Sequence, residues 1–289
     1  MKTELYAAFL AFLLLFGCQK NKTDDVAPTK GCRNSKSFNY NPSAEVDDGT
    51  CKEMAGCLGY ASGFSNSGSL GVTLNNPYWD QKMSGEIAIQ RNFYNGIPAT
   101  VYILYEPSVD YKNAYATPEG NILFGFYMFY YTVQVYGELP VAGILAHEWG
   151  HRVQFTYNWN EYYKPEHREL EADAFSGYYM ALAKQYAWSQ IQSYYANVYS
   201  TGDYFFSDPS HHGTPDQRLQ AAYLGVTTAI NAMRNNTQYS YLQLHQIFFG
   251  TIKTTIAQGI SAPKRISFPD VIYPKNLNKT GIRRLYPGK

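Results

Sequence analysis

Three ionisable side chains, His147, Glu148 and His151, stand inside a run that is otherwise apolar enough to be buried. Val141 to Ala146 precede them, and Val153 and Phe155 follow. Pro140 suits a first helical turn, so the spacing predicts a helix from about Pro140 through Tyr157. Burying three such groups costs several kcal/mol unless each is paired or bound to a cation, about 2–7 kcal/mol being typical even of an unpartnered neutral polar group. A solvated helix face fits these neighbours poorly. Histidines four residues apart project from one face, a turn apart, where two imidazoles can grip one tetrahedral cation. Glu148 is too displaced to ligate comfortably. It can instead reach a water on the same cation, the position of a general base.

A third ligand is expected from a following helix that packs alongside. Pro165 and Glu166 mark a helix start that carries through to about Trp188, with seventeen residues between His151 and Glu169. In Glu169-Leu170-Glu171-Ala172-Asp173, Glu169 and Asp173 share a face and Glu171 points nearly opposite. Glu169 is then the third ligand, and Asp173 accepts a hydrogen bond from a ligand histidine and fixes its tautomer. Glu171 is read as a solvated or salt-bridged carboxylate.

His147-Glu148-Trp149-Gly150-His151 followed by Glu169-Leu170-Glu171-Ala172-Asp173-Ala174-Phe175-Ser176-Gly177 resembles the gluzincin-type neutral zinc metallopeptidases, whose pattern is HExxH then ExxAD. Upstream, Asn113-Ala114-Tyr115 through Gly120 to Leu123 is similar to the strand that precedes the active-site helix in such peptidases. Downstream, His212-Gly213-Thr214-Pro215-Asp216-Gln217-Arg218 is similar to a segment of a bacterial neutral zinc peptidase group. Together the match covers roughly residues 99 to 235. The resemblance implies a Zn2+ ion held by His147, His151 and Glu169, a catalytic Glu148, and Asp173 supporting a ligand. It implies an α+β, zincin-like domain with a small antiparallel sheet over the active-site helix and further packed helices. The activity implied is hydrolysis of peptide bonds in proteins or peptides.

An oxyanion stabiliser is also needed. His212, His211 and a nearby tyrosine are the candidates, His212 being preferred; its rival role is a local bond ordering the loop before the Thr214 helix. Arg218 is read as a structural partner for an acidic residue of the neighbouring helix. Two other functions compete: a non-catalytic surface lipoprotein in which the metal braces the fold for binding or adhesion, and a zinc hydrolase of small molecules or cell-wall peptides.

The chain ahead of this core reads as targeting and tether. Lys2 precedes the apolar run Tyr6 to Gly17, of signal-peptide length and short for a membrane span. Leu15-Phe16-Gly17-Cys18 resembles a bacterial lipobox, and the following polar stretch resembles the export tethers of Bacteroidetes surface lipoproteins. This implies a lipid anchor on Cys18 and a cell-envelope location, at the outer membrane and facing the cell surface. The expected organisation is 1–17 signal peptide, 18–30 tether, 31–57 a small module, 58–76 linker and 77–289 the metallopeptidase domain. Cys32, Cys51 and Cys57 lie in the module, and in an oxidising compartment two of the three can pair. Asp47 and Asp48 are read as turn formers ahead of calcium ligands.

With 45% hydrophobic and 16% charged residues the chain can build a core, and its formal net charge of +1 supplies no field to attract nucleic acid. Strands are predicted at 99–106 and 114–124, and helices at 126–136 and 214–234 besides those above. The Pro-rich, basic segment from Ile260 suggests no function.

Overall fold

The computed structural model describes residues 27–33, 43–50, 69–159, 164–185, 188–204, 211–258 and 282–288. The stretch read as signal peptide, Cys18, Cys51, Cys57 and most of the stretch read as tether lie outside these residues.

In the small module, strands β1 (Lys30–Gly31) and β2 (Val46–Asp47) pair in parallel. Cys32 is buried and disulfide-bonded, with its partner outside the described residues. Asp47 accepts from the Gly49 amide at 2.9 Å and Asp48 from the Thr50 amide at 3.0 Å, the bonding of a turn.

Strand β3 (Ser69–Gly71), which falls in the stretch read as linker, pairs antiparallel with β4 (Thr100–Tyr105). The β-branched and aromatic residues of β4 suit the centre of a sheet. After β4 the chain crosses to the outer edge and forms β5 (Ala114–Ala116). It then turns tightly at Gly120, where φ is +104°, and returns as β6 (Asn121–Gly125) between β5 and β4. The sheet order is therefore β3-β4-β6-β5. That route makes β6 parallel to β4 and antiparallel to β5, so the sheet is mixed where an antiparallel one was expected. The predicted strand 114–124 is in fact this β5–β6 hairpin.

Helix α1 (Pro77–Phe93) starts at Asn76, whose side chain caps the Tyr78 and Trp79 amides. It was not anticipated, nor were α5 (Trp188–Ser200) and α7 (Tyr241–Thr251). Helices α2 (Phe126–Tyr136) and α3 (Leu139–Tyr157) follow the predicted spans. The predicted helix from Pro165 divides: α4 (Pro165–Tyr179) passes into a π turn over Met180–Lys184 and stops at Gln185, whose φ of +49° no helix can continue. Helix α6 (Pro215–Asn235) opens with a full capping box between Thr214 and Gln217.

The result is a mixed α+β arrangement of helices packed around the small sheet, with α3, α4 and α6 at its centre. The three helices lie close because small residues line their contacts. A Cβ on Gly177 of α4 would overlap the Ala222 carbonyl of α6, and one on Gly225 would overlap the Ala174 carbonyl in return. Across the other contact, a Cβ on Gly150 of α3 would stand 3.0 Å from the Ala172 Cα. Trp149 is fully buried and stacks on Tyr94 at 5.3 Å, and the Tyr94 hydroxyl donates to the Ala146 carbonyl at 3.1 Å. Near the C-terminus, Ile282 and Leu285 enter the core and the Tyr286 ring lies 4.8 Å from Phe93. Among the described residues no helix is long and apolar enough to cross a membrane.

Helix propensity alone favours alanine over glycine by about 1 kcal/mol, so the sign of a substitution at this crossing reports on packing. Gly225→Ala is expected to destabilise the protein by about 1–3 kcal/mol, the usual cost of overpacking, in a denaturant titration. Stabilisation would mean that the α4–α6 backbones are not in contact.

Candidate metal centre

Two turns of α3 and one of α4 bring three donors together. The ligand atoms of His147, His151 and Glu169 all lie within 4.8 Å of one another. His147 Nε2 is 3.2 Å from Glu169 Oε2, and His151 Nε2 is 3.3 Å from Glu169 Oε1. In a tetrahedron with metal–ligand bonds near 2.05 Å, neighbouring ligand atoms stand about 3.3 Å apart, so these separations suit Zn2+. The mixed nitrogen and oxygen donors suit it as well. The residues thus form a cluster able to hold a metal ion.

Both imidazoles are turned by bonds at the far nitrogen. His147 Nδ1 donates to Asp173 Oδ1 at 2.9 Å, leaving Nε2 toward the cluster. Asp173 is itself fixed by Arg218 of α6, which donates from Nη2 to Oδ1 at 2.9 Å and from Nε to Oδ2. His151 Nδ1 donates to Gln154 Oε1 at 2.9 Å, a partner that the sequence reading missed although it lies one turn along the same helix face. Glu171 does point away from Glu169, but the far side of α4 is not solvent: the residue is fully buried and hydrogen-bonded to His245 of α7 at 2.6 Å. Solvation is therefore the wrong half of that expectation. The error arose because α7 was unseen.

Glu148 lies beside the cluster, only 5% exposed, and its carboxylate accepts no hydrogen bond from the described residues. Burial pushes its pKa up, against the opposing pull of His147 and His151. For Glu169 burial works the same way, but the charge of His151 and hydrogen bonds from His147, His151 and His212 hold it well below the usual carboxylate range.

The loop before α6 separates the two remaining candidates. His211 is buried against Asp203, its Nδ1 2.6 Å from Oδ1. His212 sits at the cluster's edge, its side chain 40% exposed and its Nδ1 3.7 Å from Glu169 Oε2. Gly213 lies between His212 and the α6 cap with φ of +96°, and Leu170 of α4 stands 3.0 Å from where its Cβ would be. Tyr115 on β5 is close enough to feel the Glu148 charge. The sheet edge is held beside α3 by Arg152, which donates to the carbonyls of Pro98 at 3.1 Å, Thr117 at 2.6 Å and Pro118 at 3.2 Å.

No family model, curated protein or solved structure matches the chain. The reading of the site rests on its geometry.

Burial works to lower the His147 pKa, but hydrogen bonds and charges from Asp173 and Glu169 outweigh it and lift the group to about 10. Protons and a cation therefore compete for the same Nε2 lone pair. Because the folded pKa is raised, the proton is held at neutral pH and released only toward about pH 10. Metal affinity is expected to rise with pH across this range, by about tenfold per unit for each proton displaced. Calorimetry in buffers of different ionisation enthalpy reads the release. Affinity flat between pH 6 and 9 would contradict this account.

Proposed function

We propose that the protein is a zinc-dependent metallopeptidase with a zincin-like catalytic domain, held at the cell envelope by a lipid on Cys18. The observation that carries this reading is Glu148, a buried carboxylate beside the ligand cluster, to which no hydrogen bond runs among the described residues and whose pKa burial raises. A cation site that only braces a fold needs ligands, with no base beside it.

A zinc ion held by His147, His151 and Glu169 supplies Lewis acidity, polarising a carbonyl and acidifying water. Glu148 takes the proton from the attacking water and passes it to the leaving amine. Its raised pKa suits both halves, since a carboxyl nearer the working pH accepts and returns a proton more evenly. Asp173 and Gln154 keep the ligand imidazoles turned. His212, at the open edge, is placed to donate to the oxyanion, and Tyr115 is the second candidate. An extended peptide is the substrate class that fits the β5 edge alongside α3.

A second reading has its own support. His147 and His151 belong to α3 and Glu169 to α4, so a cation there also staples two helices, which serves a binding or adhesion protein equally. A hydrolase of cell-wall peptides is a third use of the same chemistry.

Glu148→Gln separates these readings. It is expected to keep zinc and to lose about 10²–10⁴-fold in cleavage of casein or of peptidoglycan peptides, whichever the wild type cuts. Wild-type protein that binds zinc, melts lower on chelation and cuts neither substrate would support the bracing role instead. For the anchor, Cys18→Ser is expected to abolish incorporation of labelled fatty acid and to release the protein from membranes. Unchanged labelling would remove the lipoprotein assignment.

A further inference from the structure

The two ligand histidines are oriented by different routes. His147 meets a carboxylate directly. His151 meets the side-chain amide of Gln154, a group that can present either an oxygen or a nitrogen to its neighbour. What decides its orientation lies one shell further out.

Gln154 Nε2 faces two oxygens, the Arg168 carbonyl at 2.9 Å and Glu171 Oε2 at 3.0 Å. The Arg168 carbonyl can only accept, so the Gln154 group turned toward it must be the one carrying both hydrogens, and the second of these points at Glu171 Oε2. Oε1 is then left facing His151 Nδ1, which must donate. With Nδ1 committed to Gln154, Nε2 is the nitrogen turned to Glu169 and offered to a cation. Glu171 is held in turn by His245, whose Nδ1 lies 2.6 Å from Oε1 and whose ring is stacked between Trp159 at 3.9 Å and Phe249 at 5.4 Å. Gln154, Glu171 and His245 are all buried. Loss of one partner there leaves a buried polar group to be satisfied by another.

We infer that Gln154, Glu171 and His245 form a positioning relay, running from α7 through α4 to α3, that presets His151 with its proton on Nδ1 and its Nε2 lone pair toward the cation. The direction of the relay comes from the Arg168 carbonyl, which cannot donate, and Glu171 holds the second hydrogen of the same amide. The inference rests on the metal-binding reading of His147, His151 and Glu169. It differs from a merely structural network in one respect: its disruption must be felt in metal affinity, and through Gln154.

A double-mutant cycle on zinc affinity, measured by chelator competition with the full chain, tests this. Glu171→Gln removes the carboxylate acceptor and can set an amide donor opposite Gln154, leaving the Arg168 carbonyl alone to hold that amide. Gln154→Met removes the His151 acceptor at nearly constant volume. Each is expected to weaken zinc binding by about 10–100-fold, the usual effect of losing a partner that orients a ligand. The double variant is expected to bind no more weakly than Gln154→Met alone, the result required when Glu171 acts on the metal through that amide. Thermal melts of the metal-free variants report their stability separately. Zinc affinity within twofold of wild type in Glu171→Gln, or losses that simply multiply in the double variant, would overturn the relay. Should Glu171→Gln not fold, Gln154→Met decides alone: wild-type affinity overturns the relay, and a loss of tenfold or more supports it. A wild type that binds no zinc fails the metal reading itself, and the relay falls with it. Wild-type binding with indifferent variants removes the relay and leaves the metal reading standing.

Discussion

The buried pairing of Asp173 with Arg218 and His147 is the contact on which the centre of the molecule depends. It joins α4 to α6 on one side and to α3 on the other, at the place where the three helices pack most closely. A carboxylate with almost no exposure survives there only because a bidentate guanidinium and an imidazole satisfy it. Removing one member of such a set costs about 3–5 kcal/mol, since a charge is left buried without its counterpart. The same carboxylate turns His147 toward the cluster. Stability and site geometry therefore share one group, and neither can be altered there without the other.

The glycines at the helix crossings serve the same end. Gly150, Gly177 and Gly225 let backbones meet where side chains would hold them apart. Close backbones let a medium-length residue such as Asp173 reach both neighbours. Arg152 extends the ordering outward by fastening the β5–β6 turn to α3, so the sheet edge is fixed relative to the cluster by three carbonyl bonds.

What could be read in the sequence was what is local. The spacing of His147 and His151, the four-residue step from Glu169 to Asp173, Pro140 and Pro165 as helix starts, and Thr214 as a cap are features of one helix at a time. They place the starts of α3, α4 and α6, whereas the end of α4 comes well before the Trp188 expected. What escaped was what depends on another element. Glu171 looked solvated because its helix is rich in charge, and only α7 shows that this face is covered. Gln154 carried no signal as a long polar residue after the motif; its meaning appears once Arg168 and Glu171 are seen to fix its amide. The parallel pairing of β4 with β6 was likewise hidden, because it follows from a crossing between strands and not from any strand's own pattern.

The ligands sit on regular helices whose mutual placement is set by glycine contacts, by Asp173 with Arg218, and by aromatic packing around Trp149. None of these contacts involves a cation. The three donors are therefore brought together by contacts of the fold itself. Any cation that such a cluster takes up would meet donors whose spacing the helices already set.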